Sequence, residues 1–168
     1  MTGCSIDKDK AVDRERFTFK IGDDTLLFFK NIRQSDYDLE DNEAAKLRVY
    51  RHEKRPVDDS IPYLSPAIVI SILRDEAYIL LEPSTILMDE DTLQVALVKD
   101  AAADTISIQT MNRENNLEFA SRLYEHLQQA GSFYIRVNGK FEPFLTDNEI
   151  RESFRVTLAD YYRLTRIY

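Results

Sequence analysis

Asn112–Tyr168 reads NRENNLEFASRLYEHLQQAGSFYIRVNGKFEPFLTDNEIRESFRVTLADYYRLTRIY, and this stretch decides the fold. Leu117, Ala120, Leu123, Tyr124 and Leu127 recur at helical spacing and form one apolar stripe over Asn115–Ala130. Asn112 is the expected N-cap and Gly131 the expected C′ residue of that helix. Ser132–Leu145 then folds back at Asn138-Gly139, a pair suited to the type I′ turn of a tight hairpin. Thr146 and Glu149 have the spacing of a capping box and open a second helix. Ile150, Phe154, Thr157, Leu158, Tyr161 and Leu164 carry its stripe nearly to the terminus.

Upstream the period changes to two. Phe17, Phe19 and Ile21 alternate with polar residues and read as a strand. Gly22-Asp23-Asp24 is turn chemistry, and Thr25–Asn31 reads as a returning strand, apolar on both faces. Gln34–Ala45 is expected as an exposed acidic loop. Asp41 stands where an EF-hand loop needs its glycine, which speaks against calcium. Lys46–His52, Ala67–Leu73, Ala77–Glu82, Thr92–Val98 and Asp104–Thr110 read as strands, with Thr85–Met88 a short edge segment. Consecutive hairpins imply antiparallel pairing. The expected fold class is therefore α+β, a mainly antiparallel sheet of about seven to nine strands with two long helices in the C-terminal third.

Composition sets outer limits. The chain has 168 residues, enough for one domain with its own core. We expect a flexible N-terminal tether over 1–16, where mixed charge leaves little to bury, and a single domain over 17–168. A net charge of −8 opposes binding to nucleic acid, which needs a basic footprint, and suits a basic protein partner. The four glycines, Gly3, Gly22, Gly131 and Gly139, are scattered, so no phosphate-cradling loop is present. His52 and His126 lack partners at zinc-ligand spacing. No cofactor and no metal is expected from these motifs. His126 is expected half-exposed on its helix. Glu82 and Glu142 come nearest to burial among the acids, and each is expected as a surface or salt-bridged residue.

Met1-Thr2-Gly3-Cys4-Ser5 contains the lone cysteine, so no intrachain disulfide can form. Thr2-Gly3-Cys4 resembles the end of a bacterial lipobox, and the resemblance implies a bacterial lipoprotein with lipid on Cys4. Its implied location is the periplasmic side of the envelope or the outer membrane, reached through that anchor. Without lipidation the expected location is cytoplasmic.

The candidate contact residues fall in two groups. Asp36, Asp38, Glu40 and Asp41 precede a basic set, Arg48, Arg51 and Arg55. Adjacent opposite blocks either neutralise one another or form a charged recognition patch. Tyr161, Tyr162, Arg163 and Arg166 lie in the last turns of the final helix, and Tyr and Arg are enriched in interfaces. No residue pattern names a catalytic group. The expected function is a non-catalytic protein-binding domain, such as an immunity or inhibitor protein that neutralises a toxin or effector in the bacterial envelope. An accessory or structural lipoprotein subunit of an envelope or secretion assembly, and an enzyme with an unrecognised site, stay open as alternatives.

Overall fold

A computed structural model describes residues 12–168; Cys4 and the lipobox-like residues lie outside them. The fold is α+β, with two four-stranded antiparallel sheets and three α-helices. The first sheet runs in order β1 (Tyr37–Asn42), β2 (Leu47–His52), β3 (Leu64–Ser71), β4 (Glu76–Pro83). The second has the order β6-β5-β7-β8, from β5 (Leu93–Lys99), β6 (Ala102–Ile108), β7 (Ser132–Val137) and β8 (Lys140–Phe144). The helices are α1 (Asp23–Phe28), α2 (Arg113–Gln128) and α3 (Asn148–Leu164). No helix among the described residues is long and apolar enough to cross a membrane.

One hydrophobic core serves both sheets. α2 packs against β4 and β6 and so spans the junction between them, while α3 packs against β3, β4 and α2. The inward positions of β5 and β7 alternate as expected: Leu93, Val95 and Leu97, then Phe133, Ile135 and Val137, are buried. β3 is buried along its whole length, as its continuous apolar run implies for a central strand.

The local signals of the C-terminal unit are realised with one-residue shifts. Asn112 caps α2, its side chain accepting from Asn115 N at 2.8 Å. α3 is capped by Asp147, which accepts from Glu149 N (2.8 Å) and Ile150 N (3.0 Å), so Thr146 is not the cap. At the end of α2, Ala130 takes the left-handed C′ conformation (φ 55°) and Gly131 is C″. Gly131 N donates to His126 O and Ala130 N to Leu127 O, a Schellman motif. Gly131 is required for a different reason: a Cβ there would lie 2.0 Å from His126 Nε2. Asn138 (φ 49°) and Gly139 (φ 81°) make the expected hairpin turn.

The N-terminal half departs from expectation at several places. Thr25–Asn31 is not a strand. Asp23–Phe28 is α-helical and continues through a π-turn, Phe29–Arg33, so the described residues hold three α-helices rather than two. Leu26, Phe29 and Arg33 fall on one helical face, and a short apolar run carries no periodicity that separates the two states. Thr25 settles it: its hydroxyl accepts from Gly22 N (3.2 Å) and donates to the Leu164 carbonyl (2.8 Å), tying α1 to α3. Second, the acidic stretch is the edge strand β1, paired with β2 through the register Tyr37↔His52 to Asn42↔Leu47. Third, Thr85–Leu87 is a 3₁₀ turn, not a strand. Among the described residues six strands therefore precede α2. Residues 17–21, expected as a strand, form only the isolated bridge Lys20↔Glu76 beside β4, where Ala77 N donates to Phe19 O at 2.7 Å and Ile21 N to Asp75 O at 3.0 Å. Val12 is buried, and Arg14, placed in the expected tether, is held on α2 by Glu118 and Glu125.

Candidate partner-binding surface

The helical segment 23–33 divides its apolar residues between two directions. Phe29 points inward and packs edge-on against Tyr50 (5.1 Å between ring centroids) and beside Tyr37 (5.5 Å). Leu27, Phe28 and Ile32 point outward, at 59%, 40% and 58% exposure. A six-residue helix cannot bury every face of a Leu-Leu-Phe-Phe run, so the π-turn that seats Phe29 leaves Phe28 and Ile32 together on the solvent side.

Charged groups rim this apolar stripe. The Arg163 guanidinium lies 5.3 Å from the centre of the Phe28 ring. Arg166 pairs with Asp24. Hydrogen bonds from Arg166 and from the Thr25 backbone hold the Asp24 carboxyl below the usual carboxylate range. Beneath the stripe Arg33 crosses to α3, donating to both oxygens of buried Asp160 (2.9 and 3.0 Å), while Tyr37 donates its hydroxyl to the same carboxylate at 2.7 Å. Burial pushes the Asp160 carboxyl above its ordinary range, and Tyr37 and Arg33 oppose that shift. Arg33 also reaches Asp36 at 3.0 Å. This buried network fixes segment 23–36 to α3, and so fixes where the exposed stripe points.

The candidate residues read from the sequence separate in the structure. Arg163 and Arg166 flank the stripe. Tyr161 and Tyr162 do not: both are fully buried, so they cannot meet a partner at the surface. Tyr162 shares a hydrogen bond with Ser121 at 2.7 Å, and Tyr161 donates to the Ala77 carbonyl at 3.2 Å. Burial pushes both phenols up. Asp38, Glu40 and Asp41 on β1 meet Arg55 (2.6 Å), Arg51 (2.6 Å) and Arg48 (3.3 Å) across the hairpin. Arg51 also holds Glu82 at 2.7 Å. This is the neutralising arrangement of the two charged blocks, each pair worth at most about 1 kcal/mol at an exposed site. Glu142 is exposed on β8.

Neither histidine sits as a surface residue. His126, expected half-exposed, is 8% exposed. Its Nε2 lies 3.1 Å from both the Val98 and Ser132 carbonyl oxygens. Carbonyls only accept, so Nε2 carries the hydrogen. His52 stacks edge-on against Tyr37 (5.3 Å) and accepts from Lys54 N at 3.1 Å. Burial pushes its pKa down. Among the described residues no group of three or more His, Cys, Asp or Glu is arranged to hold a metal ion.

Sequence reasoning missed Leu27, Phe28 and Ile32 because it placed them in a strand. The signal that finds them is Gly22-Asp23-Asp24-Thr25: two acids in a first turn with Thr at N3 announce a helix start. Comparison with protein-family models, with curated proteins and with solved structures finds no match for this chain.

Proposed function

We propose that this chain is a non-catalytic protein-binding domain, of the kind an immunity or inhibitor protein presents to a toxin in the bacterial envelope. The observation that supports it is the outward stripe Leu27, Phe28 and Ile32. An apolar patch rimmed by charge has the anatomy of an interface centre. Arg163 and Arg166 give that rim the residue type most often found at binding hot spots. The envelope location rests on the lipobox-like Thr2-Gly3-Cys4.

The test is Phe28→Asp with Ile32→Asp. Both side chains are exposed, so the variant keeps its fold, checked by thermal unfolding. Affinity capture from the source cell is then run with wild type and variant. Hot-spot losses of about 2 kcal/mol each weaken binding by at least about thirtyfold, so a stoichiometric protein retained by the wild type is lost. The same proteins retained by both, or none retained by the wild type, overturns the assignment.

A further inference from the structure

The Asn138-Gly139 turn joins β7 to β8, and both of its residues are exposed. The Val137↔Lys140 pair closes it, and Asn138 N donates to the Glu90 carboxylate at 2.7 Å. Two groups in the turn are left free. Among the described residues neither the Asn138 side-chain amide nor the Gly139 N–H takes part in a hydrogen bond. These two can react with each other. The backbone nitrogen after an asparagine can close a five-membered ring on the side-chain carbonyl carbon, and one rotation then replaces a collision between molecules.

Every other asparagine is hindered. Each is followed by a residue whose side chain crowds the attacking nitrogen. Asn42 and Asn112 accept from Ala45 N and Asn115 N, while Asn115 and Asn116 donate to the Thr110 and Ile79 carbonyls. Asn31 lies in the π-turn, and Asn148 opens α3, where Glu149 N is held by Asp147. At Gly139 there is no side chain, and a Cβ built there would meet nothing within 4 Å. The turn therefore has room to leave its left-handed resting conformation, Asn138 at φ 49° and Gly139 at φ 81°, and reach the attack geometry.

We infer that Asn138-Gly139 is a site of spontaneous covalent modification, at which a neutral amide becomes a carboxylate. The Gly139 nitrogen attacks Asn138 Cγ. The N–Cγ bond forms, the Cγ–Nδ2 bond breaks, and Nδ2 leaves as ammonia with the proton of the attacking N–H. Water then opens the cyclic imide at either carbonyl. One opening leaves aspartate at position 138; the other leaves isoaspartate, whose main chain runs through Cβ and Cγ. Either product sets a second carboxylate beside Glu90. Isoaspartate also lengthens the backbone of a two-residue turn, and that length fixes the Val137↔Lys140 register. The hairpin loosens from its tip, while the buried Phe133↔Phe144 pair holds the other end. The inference is independent of the protein-binding reading.

The full chain is aged in mildly alkaline and mildly acid buffer, and its peptides are mapped by mass spectrometry. The peptide holding Asn138 loses the mass of ammonia and then gains that of water, earlier than any peptide with another asparagine and faster in the alkaline buffer. An aspartate-specific protease cleaves one part of the product and leaves the isoaspartate part intact. NMR shift changes in the aged chain centre on residues 132–144 and Glu90. Asn138→Gln, which would need a six-membered ring, abolishes the conversion. Conversion at Asn138 no earlier than at the other asparagines, conversion only after unfolding in urea, or a mass change that persists in Asn138→Gln overturns the inference.

Discussion

The α1–β1 region and the α2-to-α3 unit use similar residues to opposite ends. α3 gathers its large side chains on one face and buries them, Phe154, Leu158, Tyr161 and Leu164 among them. α1 and its π-turn have as dense an apolar run but bury only Phe29 and expose Leu27, Phe28 and Ile32. The long helix is specified by its own period and caps. The short one is held by single long-range contacts: Thr25 to Leu164, Arg33 to Asp160, Phe29 to Tyr50. A segment placed by contacts instead of period has no need to hide its outer face.

The comparison breaks most visibly at Phe29. Phe29→Ala empties the one fully buried apolar side chain of segment 23–33 and lowers stability by about 3–5 kcal/mol in urea unfolding; on the proposed function it also costs partner binding through the displaced stripe. Gly131→Ala tests the C-terminal unit. The new Cβ collides with His126, whose ring is held by two carbonyls. A cost of about 1–3 kcal/mol is expected, with the chemical-shift changes centred on His126, Val98 and Ser132. Removing the observed cap, Asp147→Ala, costs about 1 kcal/mol, whereas Thr146→Ala stays within about 0.5 kcal/mol; equal losses would restore Thr146 as the cap.

The smallest effect is one of pH at His52. Burial lowers its folded pKa below 6.5, so protonation is harder in the fold than in the unfolded chain. The stability this contributes is full above pH 6.5 and is lost as pH falls through the folded value. Asp36, Glu53 and Asp160 oppose the shift and Arg33 adds to it. His52→Gln should therefore lose less stability than the wild type between pH 7 and pH 5 in urea titrations.

The sequence was most legible where its signals were local. Asn112 as cap, Asn138-Gly139 as turn and the alternation along β5 and β7 act over a few residues, and the structure uses them as read. The left-handed residue falling on Ala130 instead of Gly131 shows the limit of such signals: the glycine answers to the His126 ring packed against it. The acids of β1 looked like a loop because their partners, Arg48, Arg51 and Arg55, only align once the hairpin has formed. Tyr161 and Tyr162 looked like interface residues beside Arg163 and Arg166, yet one helical stripe puts the tyrosines in the core and leaves the arginines at the rim.

By itself the sequence determined the α+β class, the antiparallel hairpins and the helix-hairpin-helix ending, because periodicity, caps and turn residues are local physics. Tertiary structure alone decided that the strands divide into two sheets joined by α2 and that Leu27, Phe28 and Ile32 face outward. Each of these depends on which distant groups are brought alongside, and a choice between burial against one neighbour and exposure to solvent is made only when that neighbour is in place.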